Sequence, residues 1–155
     1  MLTKIFFFGS GTWAKNYINL IKKEFKKKIL IICIISENLS HTSKEFAVEK
    51  NIEDALLKYQ IPDGFIVCTS PYKNPDILSK IINYNKPIII EKPICLDYDL
   101  EKMQNILINS SNKNILVNHF HFYDKYFYDF INKIDKKSKS EIKIFDGNSG
   151  PIRDI

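Results

Sequence analysis

The chain has 155 residues, 45% of them hydrophobic and 26% charged, which fits one folded domain and excludes a disordered chain. Its longest apolar run, residues 29–35, is far shorter than the roughly 20 residues of a membrane span, and no cleavable leader pattern precedes the first strand. The net charge is +5, but Arg153 is the single arginine among 23 basic residues. Without arginine forks or an aromatic stripe, we expect no nucleic-acid partner and no membrane partner.

The three cysteines, Cys33, Cys68 and Cys95, do not share the spacing of a metal site. Two of them lie inside apolar runs, as buried free thiols do. We therefore expect free thiols in the reducing cytoplasm and no bound metal.

The first half of the chain alternates between strand and helix patterns. Residues 5–8 read as a strand, and residues 12–26 as a helix with one apolar face formed by Trp13, Tyr17, Leu20, Ile21 and Phe25. The unbroken run at 29–35 is typical of a strand buried on both faces of a parallel sheet. A short apolar segment near residues 46–50 and a small helix at 52–59 follow.

The second half repeats this alternation. Strands are predicted at 65–69, 87–90 and 115–118, with a helix capped by Asn74 and another capped by Asp97 between them. A last helix near 127–134 and a closing strand near 141–145 complete the pattern. Strand–helix alternation with short connections predicts an α/β fold, a Rossmann-type doubly wound parallel sheet, in a single domain over residues 1–155.

Two of the five glycines, Gly9 and Gly11, lie where the first strand turns into the first helix. The segment from Gly9 to Ala14 fits the pattern G-x-G-x-x-[GA], in which the first glycine permits a tight turn and the second lets a pyrophosphate approach the backbone. The helix that begins at Thr12 and Trp13 then offers its N–H groups to the phosphate. A tight turn without a ligand is the alternative, and the strand–turn–helix setting favours dinucleotide binding.

The second strand usually ends in an acid that binds the adenosine ribose. Here the expected position is Ser36, and Glu37 follows it. A shifted acid at Glu37 would still reach the ribose and favour NAD, whereas Ser36 with Lys44 would accommodate the 2′-phosphate of NADP. Both cofactors stay open, with a slight preference for NAD because no arginine is near.

Two later motifs resemble those of the Gfo/Idh/MocA oxidoreductases, which are NAD(P)-dependent sugar and cyclitol dehydrogenases and their relatives. "TSPYKN", residues 69–74, is similar to the family's T-P-x-x-x-H segment, and "EKP", residues 91–93, to its E-K-P motif. "ILVNHFHFYDKYFYDF", residues 115–130, resembles the family's next strand and helix. The resemblance extends over essentially the whole chain.

The resemblance implies a role for each matching residue. Gly9, Gly11 and Ala14 would hold the pyrophosphate, and Glu91 would contact the nicotinamide ribose. The path beside the nicotinamide would be lined by Thr69, Ser70, Pro71 and Asn74, the last standing where the family usually has histidine. Lys92 would lie beside the nicotinamide and the substrate hydroxyl, where an ammonium group is suited to a proton relay.

His119 is a second candidate catalytic residue. It shares one side of an extended chain with His121 and Tyr123. A histidine that is hydrogen-bonded in the core or lies in a subunit interface is the other interpretation.

The resemblance also leads us to expect that the family's second domain, which supplies most substrate contacts, is missing from this chain. Three functions follow. The chain is the cofactor-binding part of a sugar or sugar-nucleotide dehydrogenase, inactive without a partner chain that carries the second domain. Alternatively, it is a stand-alone nucleotide-binding module without catalysis. The third possibility is a small oxidoreductase whose pocket is completed in a homo-oligomer.

Overall fold

A computed structural model describes residues 3–25, 29–36 and 46–118. Within them the elements follow in the order β1 (Thr3–Phe8), α1 (Thr12–Phe25), β2 (Ile29–Ile35), β3 (Ala47–Glu49), α2 (Ile52–Tyr59), β4 (Gly64–Val67), α3 (Asn74–Ile81), β5 (Ile88–Glu91), α4 (Leu100–Ile108) and β6 (Ile115–Asn118). The helix and strand predicted after residue 119 lie outside the described residues.

The six strands form one parallel sheet in the order β3-β2-β1-β4-β5-β6. The strand order reverses between β1 and β4, which is the point where open α/β sheets bind their ligands. Phe8 is in register with Ile35 on one side and Val67 on the other, so the strands end together. We call this line of strand ends the carboxyl edge. The doubly wound parallel sheet predicted from the sequence is confirmed.

Both faces of the sheet are covered, because successive side chains of a strand point to opposite faces. Phe6 and Phe8 of β1 pack with buried residues of α2, α3 and α4, whereas Phe7 packs with Ile18 and Ile21 of α1. Within the described residues, α1 is therefore the helix that covers the second face. The same helix begins at the glycine turn.

The predicted apolar face of α1 is wrong in part. The buried stripe consists of Ala14, Ile18 and Ile21, at the i, i+4, i+7 spacing. Trp13, Leu20 and Phe25 are more than half exposed. A stripe one residue later along the helix turns toward the sheet because small Ala14 lets the helix approach closely, while Trp13 is directed to the outside.

Both predicted helix caps are also wrong. Asn74 is the first residue of α3, after a 3₁₀ turn at Pro71–Lys73, and its side chain makes other contacts. Asp97 begins a 3₁₀ turn, Asp97–Asp99, in front of α4. The N-cap of this turn is Leu96 and that of α4 is Asp99, and neither side chain makes a capping hydrogen bond. Each helix is preceded by a tighter turn whose own backbone bonds satisfy the first N–H groups.

The sheet lies in a compact unit, Met1–His119. Whether one domain extends over all 155 residues stays a prediction, because residues 119–155 are outside the described part. Among the described residues, no helix has the length and apolarity needed to cross a membrane.

Candidate cofactor site

The turn after β1 requires its first glycine. Gly9 has φ of 98°, and an ideal Cβ there would lie 2.6 Å from the carbonyl oxygen of Cys68. Its N–H donates to the carbonyl oxygen of Ile35 at 3.0 Å, and the N–H of Cys68 donates to that of Phe8 at 2.9 Å. The turn thus lies tightly between the ends of β2 and β4, where only glycine fits.

The second glycine has a different environment. An ideal Cβ on Gly11 would meet no described atom within 4 Å, and the carbonyl of Gly11 accepts the first helical bond, from Lys15, at 3.1 Å. Gly11, Thr12 and Trp13 are exposed, while Ala14 is fully buried. The first turn of α1 carries no acidic residue. Open space over a glycine at a helix N-terminus fits the pyrophosphate of a dinucleotide.

The end of β2 carries hydroxyl groups rather than an acid. Ser36 is half-buried, and its Oγ lies 3.2 Å from the Oγ of Ser10 in the glycine turn. Its N–H donates to the carbonyl oxygen of Glu49 at 3.0 Å, which ties β2 to β3. Glu37 and Lys44 lie outside the described residues, and their roles stay predictions.

The loops after β4 and β5 are joined through Asn74. Thr69 Oγ1 donates to Asn74 Oδ1 at 2.7 Å, and Asn74 Nδ2 donates to the carbonyl oxygen of Pro93 at 3.4 Å. Asn74 is 1% exposed, Pro71 is half-buried and Ser70 is exposed. The amide of Asn74 is thus occupied in holding two loops together, and its predicted contact with cofactor stays a prediction.

Glu91 ends β5 at the carboxyl edge and is 8% exposed. Its Oε1 accepts a hydrogen bond from the hydroxyl of Tyr17 at 2.6 Å and another from Nδ2 of Asn118 at 2.6 Å. Asn118 Nδ2 also lies 2.5 Å from the oxygen of Tyr17. Three elements, α1, β5 and β6, therefore meet at one carboxylate.

Lys92 follows Glu91 and is exposed, and the Lys92–Pro93 peptide bond is cis. The other candidate catalytic residue, His119, and the neighbouring His121 and Tyr123 lie outside the described residues. The structure thus places Lys92 at the carboxyl edge, beside Glu91, and leaves the role of His119 a prediction.

Cys68 follows β4, and its carbonyl oxygen borders the glycine turn. Burial, with a smaller contribution from the charge of Glu91, raises the pKa of Cys68 to about 12. Cys68 and Cys95 are both free and half-buried. In the described part of the chain, no three His, Cys, Asp or Glu side chains come together as metal ligands.

Tyr17 and Asn118 also belong to this site, although the sequence pattern did not predict it. The helical spacing places Tyr17 on an apolar face, although its hydroxyl needs a partner wherever the ring is buried. Asn118 was only the last residue of a strand. The available signal was its position, since a polar residue at the carboxyl end of a parallel strand faces the same edge as Glu91.

Solved dehydrogenase structures share this fold. A myo-inositol 2-dehydrogenase from Lactobacillus plantarum matches with a TM-score of 0.69 and 13% identity, over 85% of this chain and 41% of that one. A scyllo-inositol dehydrogenase from Lactobacillus casei, solved with NAD(H) and scyllo-inositol, matches with a TM-score of 0.68 and 17% identity, over 85% of this chain and 41% of that one. The WlbA dehydrogenase from Bordetella pertussis, solved with NADH and UDP-GlcNAcA, matches with a TM-score of 0.58 and 15% identity, over 76% of this chain and 35% of that one.

At these identities the likeness shows the fold, and the chain spans about two fifths of the length of the proteins it matches or less. Among curated proteins, no sequence matches this chain. The model of the Gfo/Idh/MocA oxidoreductase family, described as an NAD-binding Rossmann fold, matches residues 3–119. Those residues contain the whole described sheet and the glycine turn. The chain therefore belongs to the Gfo/Idh/MocA family and contains its NAD-binding Rossmann domain.

Proposed function

We propose that the chain binds a nicotinamide dinucleotide across its carboxyl edge and serves hydride transfer between that cofactor and a hydroxyl or carbonyl group of a sugar or sugar nucleotide. The observation that carries the proposal is the contrast between Gly9 and Gly11. The first glycine is required by the fold, whereas the second leaves the start of α1 open. Membership of an NAD-binding family supports the same reading.

The residues divide along the carboxyl edge. Gly9, Gly11 and Ala14, with the N–H groups of Thr12 and Trp13, hold the pyrophosphate. The hydroxyls of Ser10 and Ser36 lie 3.2 Å apart and serve the adenosine ribose. Glu91 accepts a hydrogen bond from the nicotinamide ribose. The loop of Thr69, Ser70 and Pro71, supported by Asn74, borders the nicotinamide side.

Lys92 is the proposed catalytic residue of the described part. When bound, the nicotinamide ring supplies the hydride acceptor or donor. The hydroxyl proton of the sugar moves to or from Nζ of Lys92, which is exposed and exchanges it with water. His119 is proposed as a second group on the substrate side.

NAD is the proposed cofactor in preference to NADP. Recognition of a 2′-phosphate commonly uses an arginine near the end of β2. The single arginine of this sequence, Arg153, is far from that position along the chain. Glu37, the acid that follows Ser36 in the sequence, suits the hydroxyls of an unphosphorylated ribose.

The chain is expected to bind the cofactor without efficient turnover of a sugar substrate. Hydride transfer needs a substrate held in line and shielded from water. Lys92 is exposed, so the described residues form an open platform rather than a closed pocket. We propose that the 155-residue chain binds the cofactor and oxidises sugars slowly or not at all. A partner chain or a second copy that covers Lys92 would restore turnover.

The test is a titration of the 155-residue chain with NADH and, separately, with NADPH, followed by nicotinamide fluorescence. Saturable binding is expected, tighter for NADH. The matched variant is Gly11→Val, whose branched side chain fills the space over the turn. We expect it to weaken binding at least tenfold while the free energy of unfolding changes by about 1 kcal/mol or less.

Equal binding by the wild type and Gly11→Val would refute the glycine turn as the pyrophosphate site. No binding of either nucleotide by the wild type would refute the proposed function. A stand-alone module without catalysis would bind NADH and show no turnover with any added partner chain.

A further inference from the structure

We propose that Tyr17, together with Asn118, is a positioning residue that orients the carboxylate of Glu91 toward the nicotinamide ribose. The inference rests on the proposed function, in which Glu91 contacts that ribose. It goes further by giving a role in cofactor binding to a tyrosine in the middle of α1 and to the last residue of β6.

The hydrogen bonds around Glu91 have a definite direction. The amide group of Asn118 has only hydrogens to offer at Nδ2, so the oxygen of Tyr17, 2.5 Å away, accepts from it. The hydroxyl hydrogen of Tyr17 is then directed to Oε1 of Glu91 at 2.6 Å. Asn118 donates to the same oxygen. The three side chains form a closed ring with one consistent set of donors and acceptors.

The two oxygens of the Glu91 carboxylate differ in their partners. Both donors reach Oε1, and no described residue donates a hydrogen bond to Oε2. A carboxylate that is 8% exposed needs donors to offset its lost hydration. The ring supplies them on one side and fixes the plane of the group. Oε2 is left to accept from a ribose hydroxyl.

Helix α1 connects the glycine turn with Glu91. Gly11 and Tyr17 are six residues apart in sequence, or about 9 Å along a helix that rises 1.5 Å per residue. Ala14, Ile18 and Ile21 fix this helix on the sheet. One rigid helix thus carries the phosphate turn at its start and the support for Glu91 less than two turns later. The two halves of the cofactor site are held in register by it.

The test measures the affinity of the full chain for NADH and for ADP, which contains the adenosine and the pyrophosphate but lacks the nicotinamide ribose. Tyr17→Phe keeps the ring and removes the donor. We expect NADH binding to weaken about tenfold, as for loss of a hydrogen bond to a charged group, with ADP affinity unchanged within about twofold. Tyr84→Phe, in the core beside Phe65, is the matched control and leaves both affinities unchanged.

A double-mutant cycle with Glu91→Gln tests whether Tyr17 acts through the carboxylate. In that background Tyr17→Phe should weaken NADH binding less than about twofold. Equal losses for NADH and ADP, full additivity with Glu91→Gln, or no effect of Tyr17→Phe on NADH would overturn the inference. If Tyr17→Phe does not fold, Asn118→Leu removes the second donor and is judged by the same criteria. If the wild type binds no NADH, the proposed function fails together with the inference. If the wild type binds NADH and the Tyr17 variants do not behave as expected, only the inference fails.

Discussion

The two halves of the carboxyl edge are built differently. On the side of β1 to β3, backbone groups and two small hydroxyls, those of Ser10 and Ser36, face the edge. On the side of β4 to β6, side chains hold one another: Asn74 joins two loops, and Tyr17 and Asn118 hold Glu91. The difference matches what the proposed function requires of each half. Anchoring a nucleotide needs N–H groups and space, whereas chemistry needs charged groups held in fixed orientations.

The boundary between the halves is Gly9, and Gly9→Ala should give the largest effect on folding. A positive φ costs a residue with a side chain about 1–2 kcal/mol. The added Cβ, 2.6 Å from the Cys68 oxygen, adds about 1–3 kcal/mol of overpacking. Urea denaturation should show this loss, whereas Gly11→Ala should cost about 1 kcal/mol or less. Similar losses for the two variants would contradict the contrast between the glycines.

The side of β4 to β6 also contains a thiol that should react slowly. With a pKa raised to about 12, Cys68 stays protonated until the pH approaches that value. Near pH 8 its thiolate fraction is roughly a thousandfold lower than usual, partly offset by the higher nucleophilicity of a basic thiolate, so alkylation should be about 50-fold slower. The rate should keep rising with pH beyond 10.

Peptide mapping after iodoacetamide treatment measures this for each cysteine. Cys95, whose pKa burial also raises, provides the internal comparison and should be modified first. A rate for Cys68 that levels off near pH 9 would refute the raised pKa.

Asn74→Ala tests whether buried side-chain bonds hold the β4 and β5 loops. The variant leaves the hydroxyl of Thr69 without its acceptor and should lower the free energy of unfolding by about 1–3 kcal/mol. Asn83→Ala, an exposed asparagine after the same helix, is the control and should change it by about 0.5 kcal/mol or less. Equal effects in urea denaturation would mean that the buried amide contributes no more than a surface one.

Ser10→Ala tests the other half and should have the smallest effect. The hydroxyl–hydroxyl bond between Ser10 and Ser36 is half-buried, and its loss should cost about 0.5–1 kcal/mol of stability. NADH affinity should fall by a few-fold at most, as followed by fluorescence titration. A loss as large as that of Asn74→Ala would mean that the β1 to β3 side is as strongly held by side chains as the other side.

The fold was predictable because its signals are local. The unbroken apolar run of β2 is bounded by polar residues, and Ile29–Ile35 and Ile115–Asn118 are the strands that the sequence predicts. The two glycines predicted the turn for the same reason, since both lie between a strand and a helix. The ends of strands were predicted less accurately. The strand β4 ends at Val67 and not at Thr69, because the chain bends away once the neighbouring strand has ended.

The supporting residues were not predictable in this way. Helical spacing allows both the Trp13 stripe and the Ala14 stripe, and the close approach that small Ala14 allows decides which of them meets the sheet. Asn118 has no local partner, because its bond to Tyr17 joins residues 101 positions apart. A sequence pattern reports neighbours along the chain, whereas these contacts depend on how the strands are ordered in space.

That long separation also sets an order of assembly. The bond between Tyr17 and Asn118 closes a loop of 101 residues, so it forms only after the intervening strands and helices have packed. During synthesis, α1 is made long before β6. The carboxylate of Glu91 can accept its second hydrogen bond, from Asn118, only after residue 118 has left the ribosome. The glycine turn is in place early. The ring around Glu91 is therefore among the last parts of the site to form, and its presence marks a domain that has finished folding.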